Sequence, residues 1–321
     1  MKRLMTCLAA VAAVLSLQAR PAKEGHLRIL YWNIQNGMWA GQEDNYDAFT
    51  DWVKALEPDI CVWCEASTLY RTGTDELLPK RERYLPGHWG EVAARYGHSC
   101  WVVSAERDNY PQVVTSRYPL ESVEELYGNG TDTVVVHGSG WVRTVVGGKE
   151  INLVTVHLKP FLFGYKVPKE EKTESAARFD GEYWRIREAE YIFDHTVRTR
   201  PAPDKENWLM LGDFNARSRV DNFKYRWSAY DKRFLLHDHI ALHSPYVDLL
   251  SETSPEVFQA THSSDTRIDF VYVTLPVLKA VRSARVVRDS WSAGTPSGVG
   301  KFYRPSDHLP ILIDIKTSQL K

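Results

Sequence analysis

Six apolar runs in this 321-residue chain begin or end on side chains that can do chemistry. Asn33 follows residues 27–32, Glu65 follows 59–64 and His157 follows 151–156. Asp213 and Asn215 follow 208–211 in the run Gly212-Asp213-Phe214-Asn215. Asp269 stands near the start of 267–273, and Asp307-His308 precede 309–313. Glu65, Asp213, Asp269 and Asp307, with Asn33 and Asn215, form an oxygen-rich set that no cysteine joins. Hard oxygen ligands select Mg2+, Mn2+ or Ca2+ over structural zinc. Imidazoles beside such a set suit hydrolysis of a phosphate ester. A divalent metal neutralises phosphate charge and polarises the P–O bond. An imidazole oriented by a carboxylate withdraws a proton from water. Amide and imidazole donors stabilise charge in the transition state.

Taken singly, each residue has a plainer reading. Asn33 can cap a turn, Glu65 can be a surface acid, His157 a hydrogen-bonded core imidazole, Asp213 part of a turn, and Asp269 a partner for Arg267. Their recurrence at the ends of successive runs argues for one shared polar site, because buried polar groups are costly unless they face one another.

The elements that would position these residues follow from the pattern. Continuous apolar runs predict strands covered on both faces. Residues 47–56 have helical spacing and stop before Pro58, and 174–197 is a longer, more charged helical stretch. Alternation of strands and helices predicts a layered α/β protein, in which ligands collect at strand ends.

These residues resemble the endonuclease/exonuclease/phosphatase superfamily, which includes DNase I, AP endonucleases, inositol-polyphosphate 5-phosphatases and bacterial sphingomyelinases. Gly212-Asp213-Phe214-Asn215 and Ser306-Asp307-His308 are the most specific pieces. Trp32-Asn33-Ile34-Gln35, Glu65, Ser116-Arg117-Tyr118-Pro119, His157-Leu158 and Arg267-Ile268-Asp269-Phe270 occur in the family's order, over residues 27–315. The resemblance implies a four-layer α/β sandwich, with two packed mixed sheets flanked by helices and the site at one edge of the paired sheets. It implies Glu65 as main metal ligand, with Asn33 and Asp307 close to the metal. It makes His308 the general base, oriented by Asp269. Asp213 and Asn215 would position water and phosphate, with Asp213 alternatively the base or a second-metal ligand. His157 would donate to the scissile phosphate, a residue type that AP endonucleases tend to replace.

Two departures bear on substrate. The inositol-phosphatase motif before the late strand is missing from residues 261–269. The glycine often found before Ser116-Arg117-Tyr118-Pro119 is replaced by Pro111-Gln112. Gln35, Trp39 and Arg217 are the candidate substrate contacts, Trp39 by stacking on a base, sugar or lipid face.

The remaining features set limits. Lys2 and Arg3, an apolar run over 4–17 and the Leu17-Gln18-Ala19 segment read as an export signal cleaved near Ala19. Residues 20–26 would then be a linker, 27–316 the domain and 317–321 a tail. The whole chain carries a net charge of −1, with 40 basic and 41 acidic side chains, so no global basic field draws in nucleic acid. Cys61-x-x-Cys64 lies in a strand-like run and no second such pair follows, so core packing is expected rather than zinc. His237, His239 and His243, in an insertion-like stretch over 219–248, could bind a transition metal but are expected to be ordinary helix or loop residues. Residues 161–172 are a candidate gating loop.

The expectation is an exported, Mg2+-dependent phosphoesterase (Mn2+ or Ca2+ possible), acting as a monomer. A phosphodiester substrate is favoured, nucleic acid or sphingomyelin-like phospholipid. The alternatives are a phosphomonoesterase of inositol-phosphate type and a non-catalytic glycan- or lipid-binding protein on the same scaffold.

Overall fold

The computed structural model describes residues 25–38, 45–71, 76–85 and 87–321. Fourteen strands are found among them. The first sheet comprises β1 (His26–Asn33), β2 (Ile60–Cys64), β3 (Cys100–Ala105), β4 (Gln112–Ser116), β11 (Val281–Val286) and β14 (Ile311–Lys316), in the order β11-β14-β1-β2-β4-β3. The second comprises β5 (Glu121–Leu126), β6 (Ser139–Val146), β7 (Lys149–His157), β8 (Trp208–Asp213), β9 (Val247–Asp248) and β10 (Asp269–Val273), in the order β5-β6-β7-β8-β10-β9. A two-stranded ribbon pairs β12 (Thr295–Pro296) with β13 (Tyr303–Arg304). Each large sheet mixes parallel and antiparallel neighbours; β1 pairs parallel with β2 and antiparallel with β14.

Alternation along the strands builds the four layers. Leu27, Ile29 and Tyr31 of β1 meet Leu209 and Leu211 of β8 and Val271 and Val273 of β10 between the two sheets. Leu30 and Trp32 point the other way, against Phe49 and Val53 of the helix Asp47–Leu56 and Trp89 and Val92 of the helix Trp89–Arg95. On the far side Val154, Val156, Met210 and Tyr272 pack against Ala189, Ile192 and Phe193 of the helix Asp180–His195. Both faces of each sheet are covered, which is why the strands read as unbroken apolar runs. Cys61 and Cys64, three residues apart on β2, fall in different clusters on opposite faces and are free thiols. They are core residues, as expected.

The helix over 47–56 forms as read. The stretch 174–197 does not run through. It divides into Lys172–Arg178 and Asp180–His195 at Phe179, whose φ is 63°, followed by a turn over Val197–Thr199. At the break, Gly181 lies so close to the Phe161 carbonyl that a Cβ could not fit, and its N–H donates to Leu162 O at 2.5 Å. The loop after β7 is thus pressed onto the second helix. Residues 317–321 are docked: Leu320 is buried, and Lys321 exchanges hydrogen bonds with the Asn207 carboxamide. The export signal and Trp39 lie outside the described residues. Among the described residues no helix is long and apolar enough to cross a membrane.

Candidate active site

All the predicted strand-end residues converge at one end of the paired sheets. In the second sheet, register aligns three of them. His157 lies opposite Asp213 across the parallel β7–β8 pair, and Asp213 lies opposite Asp269 across the antiparallel β8–β10 pair. Gly212 permits this approach, since a Cβ there would collide with the Val156 carbonyl. In the first sheet, Asn33 ends β1 beside Cys64 of β2. Glu65 then leaves the strand with φ 54°, a conformation uncommon for a non-glycine residue and enriched at functional sites. Asp307 and His308 arrive on the segment before β14. Ser306 Oγ donates to Asn33 O (2.8 Å) and accepts from His308 N–H (3.1 Å), while Trp32 Nε1 donates to His308 O (3.0 Å).

A buried relay forms the centre. Tyr31 donates its hydroxyl to Asp269 Oδ1 at 2.7 Å, and Asp269 Oδ2 takes His308 Nδ1–H at 2.8 Å. Asp269 is fully inaccessible to solvent. With Nδ1 committed, His308 Nε2 faces Asp213 Oδ2 and Asp307 Oδ1, both at 3.9 Å. Burial alone would lower the proton affinity of His308. The charge of Asp269 and its hydrogen bond outweigh that and hold the imidazole well above its ordinary range.

The carboxylates are tied from several sides. Asn33 Nδ2 donates to Glu65 Oε1 (3.3 Å) and to Asp213 Oδ2 (3.2 Å), bridging the two sheets. Asn33 Oδ1 takes the Gln35 N–H at 3.1 Å, so this amide holds the two acids and does not present its oxygen to the pocket. Glu65 Oε2 accepts from Asn36 N (3.0 Å) and Asp213 Oδ1 from Asn215 N (2.9 Å). Asn215, at φ 52°, anchors its own amide on Leu158 O at 3.0 Å. His157 Nε2 lies 4.0 Å from Glu65 Oε1 and 3.9 Å from Asp213 Oδ2. Its ring stacks on His137 at 4.3 Å, and Nδ1 of each ring has no partner.

Charge balance supplies the test for a metal. Every ion partner of Glu65, Asp213, Asp269 and Asp307 among the described residues is an imidazole. No lysine or arginine among the described residues forms an ion pair with them, and Arg217 feels the charge of Asp213 only from beyond that range. Burial, then the charge of Asp269, pushes Asp213 up to about 8, and burial, then Asp307, raises Glu65. Asp307 Oδ1 is buried without a hydrogen-bond partner. An oxygen-rich pocket with excess negative charge and an orphaned carboxylate oxygen fits a hard divalent cation. Glu65 and Asp307 would hold it. Asp213, Asp269 and His308 also place ligand atoms within 4.8 Å of one another.

Of the substrate candidates, Gln35 is committed elsewhere. Its carboxamide takes Tyr303 N–H at 2.8 Å and donates to Lys301 O at 3.4 Å, so it carries the ribbon to the site edge. Arg217 is half-buried beside Asp213 and Asn215 in sequence and makes no hydrogen bond or ion pair among the described residues. The histidines of 219–248 form no metal cluster there. His237 is buried against Phe270 and bonds Tyr272 Oη, and His239 pairs with Glu190.

His262 was not foreseen. The backbone N–H of Ser264 donates to its Nδ1 (3.1 Å), so Nε2 carries the proton and faces Asp307 Oδ2 at 3.4 Å. Burial would raise Asp307; the His262 bond and the neighbouring imidazoles more than offset it. Tyr31 and His137 also escaped sequence reading. Each sits in or beside an apolar run with nothing to mark its polar atom as part of a site.

A family model described as Endonuclease/Exonuclease/phosphatase family matches residues 30–308. The chain belongs to this family. No curated protein matches it in sequence. Family members in solved structures share the fold at low identity. An AP endonuclease from Archaeoglobus fulgidus is 17% identical with TM-score 0.57, covering 89% of this chain and 98% of its own. A 3′ phosphatase from Neisseria, bound to product DNA hairpin, is 17% identical with TM-score 0.55, covering 90% and 99%. An endonuclease/exonuclease/phosphatase family protein from Bacteroides thetaiotaomicron is 14% identical with TM-score 0.55, covering 90% and 97%. The sandwich that the resemblance implied is the family's fold, and the family's hydrolases act on phosphate esters.

Proposed function

We propose that this protein is an exported, divalent-metal-dependent phosphodiesterase that activates water through His308. The observation that carries this reading is the Tyr31–Asp269–His308 relay opening onto Glu65, Asp213 and Asp307, carboxylates whose ion partners among the described residues are all imidazoles. A bound Mg2+ or Mn2+ would supply charge neutralisation at the phosphate. The chain's own groups do the rest. Asp269 fixes the His308 tautomer, so that Nε2 can take a proton from water. Asp213 orients that water from across the cleft. His157, held neutral by burial, donates Nε2–H to a phosphate oxygen. These acids and donors would serve a diester and a monoester alike, and the diester is the reading carried forward. The DNA-bound 3′ phosphatase among the similar structures keeps a monoester as the second reading. The intact relay weighs against a purely binding role. Export rests on Lys2, Arg3 and the apolar run that follows them.

The test is a panel of DNA, RNA, sphingomyelin, inositol phosphates and bis(p-nitrophenyl) phosphate, with Mg2+, Mn2+ or Ca2+ against EDTA. Hydrolysis that requires metal is expected. His308→Ala and Asp213→Ala should each lose at least about 100-fold while melting as the parent does. Folded variants that keep full activity would overturn the assignment.

A further inference from the structure

Two open cavities lie side by side at the edge of the site. One, of about 330 Å³, is lined by Asp307, His308, Ser306, Tyr303 and Arg288. The other, of about 340 Å³, is lined by Phe258, Gln259, Val286 and Arg288. Arg288 and Asp265 border both, so the two form one groove leading away from the reacting end.

The charges along that groove are unequal. Asp265 is neutralised by Lys224 at 2.6 Å. Asp289, next to Arg288 in sequence, accepts from Trp52 Nε1 (2.8 Å) and from the N–H groups of Trp291 and Ser292. Arg288 itself is exposed and has no hydrogen bond or ion pair among the described residues. Its backbone is fixed from both sides, by buried Val287, whose N–H donates to Pro310 O at 2.8 Å, and by the Asp289 turn. Farther along, Gln259 spends its oxygen on Val286 N–H (2.9 Å), and its NH2 has no hydrogen bond among the described residues; Phe258 lines the cavity beside it. The groove therefore runs from the site's carboxylates to an unpaired guanidinium, then to an amide donor and an aromatic ring. A guanidinium's planar donors match phosphate oxygens.

We propose that this groove binds the part of the substrate flanking the scissile phosphate, with Arg288 taking a second phosphate group. The inference rests on the phosphoesterase reading and narrows it to substrates carrying two phosphates. A nucleotide strand and a multiply phosphorylated inositol share that chemistry.

Matched pairs test it: the dithymidine diester with and without a terminal phosphate, and inositol bisphosphate against monophosphate. Binding is measured on the His308→Ala background with Mg2+, so that turnover does not intervene, and kcat/KM on the active enzyme. For at least one pair, the member with the extra phosphate should bind and react about tenfold better at low salt, shrinking as salt rises. Arg288→Ala should abolish that preference and leave the other member and the melting temperature unchanged; Arg288→Lys should keep part of it. A preference missing from both pairs, or one that survives Arg288→Ala, overturns the groove. An inactive parent protein whose binding preference still depends on Arg288 would sink the phosphoesterase reading and leave the groove standing.

Discussion

Replacing Asp269 by Asn tests the relay at its hinge. The Asn side chain fits the same space, but its two ends differ. Tyr31 donates to the Oδ1 position at 2.7 Å, which requires an acceptor there. The Asn oxygen must therefore turn to Tyr31 and its NH2 to His308 Nδ1, 2.8 Å from the other end. His308 Nδ1 then has to accept, so the ring proton moves to Nε2, the nitrogen facing Asp213 and Asp307. That nitrogen can no longer take a proton from water. General-base assistance accounts for about 10²–10⁴ in rate, and wrong-tautomer substitutions in triads lie at the upper end of that range, so a loss of about 10³ in kcat is expected. The pH dependence follows with a definite sign. Asp269 raises His308, so activity is lost as pH falls through the imidazole's folded pKa. With that charge and its hydrogen bond removed, Asp307 and Asp213 alone oppose burial, and the acid limb moves to lower pH. The double variant Tyr31→Phe/Asp269→Asn frees the amide to flip, so it should recover about tenfold over Asp269→Asn alone. Kinetics across pH on all three proteins decide the matter. An Asp269→Asn enzyme within about threefold of the parent, or a Tyr31→Phe change that only multiplies the loss, would refute the tautomer argument.

Two further predictions concern stability. Glu188 is buried, accepts from Val136 N (2.8 Å) and Lys159 N (3.0 Å), and is pushed by burial from 4.5 to about 7. Its folded pKa lies above its unfolded one, so its contribution is full below about pH 4.5 and is lost as pH rises through about 7, by up to roughly 3 kcal/mol. Urea titrations at pH 5 and 8 should show that fall, and Glu188→Gln should flatten it; an unchanged slope counts against it. Arg267, nearly inaccessible, is clamped by Asp221 (2.8 Å) and by both oxygens of Asp248 (3.1 and 2.6 Å). Asp248→Ala should cost about 3–5 kcal/mol by leaving part of that charge unpaired, and a loss below about 1 kcal/mol by denaturant titration would contradict it.

What could be read in advance followed from chain periodicity. Asn33, Glu65, His157, Asp213, Asp269 and Asp307 each interrupt or bound an apolar run; singly each has a plainer reading, and it is their recurrence at successive run ends that points to a shared site. The strands were legible for the same reason, with their bounds displaced by up to three residues: β10 starts at Asp269, not 267, and β14 runs from Ile311 to Lys316, not 309–313. Partners were not legible. Tyr31 looks like one more apolar residue of β1, and only packing of the sheets turns its hydroxyl onto Asp269. His262 is seven residues before Asp269 and reaches Asp307 through a turn whose tautomer is fixed by one backbone N–H. The break at Phe179 depends on contact with the 161–164 loop, which helical spacing cannot register.

The site is stitched across the interface between the two sheets. Tyr31 of β1 reaches Asp269 of β10, and Asn33 of β1 reaches Asp213 of β8, at 2.7 and 3.2 Å. Beneath them lies the apolar layer of Ile29, Val62, Leu211 and Val271. That layer sets the spacing of the two sheets, and close-packed cores transmit a change of volume as a shift and do not absorb it. A shift of about half an ångström would weaken the first of these hydrogen bonds and break the second. The geometry of catalysis is therefore a property of apolar side chains that never touch substrate. This explains why the chemistry-bearing residues can come from both sheets: each sheet alone presents half a pocket, and burial of the layer between them completes it.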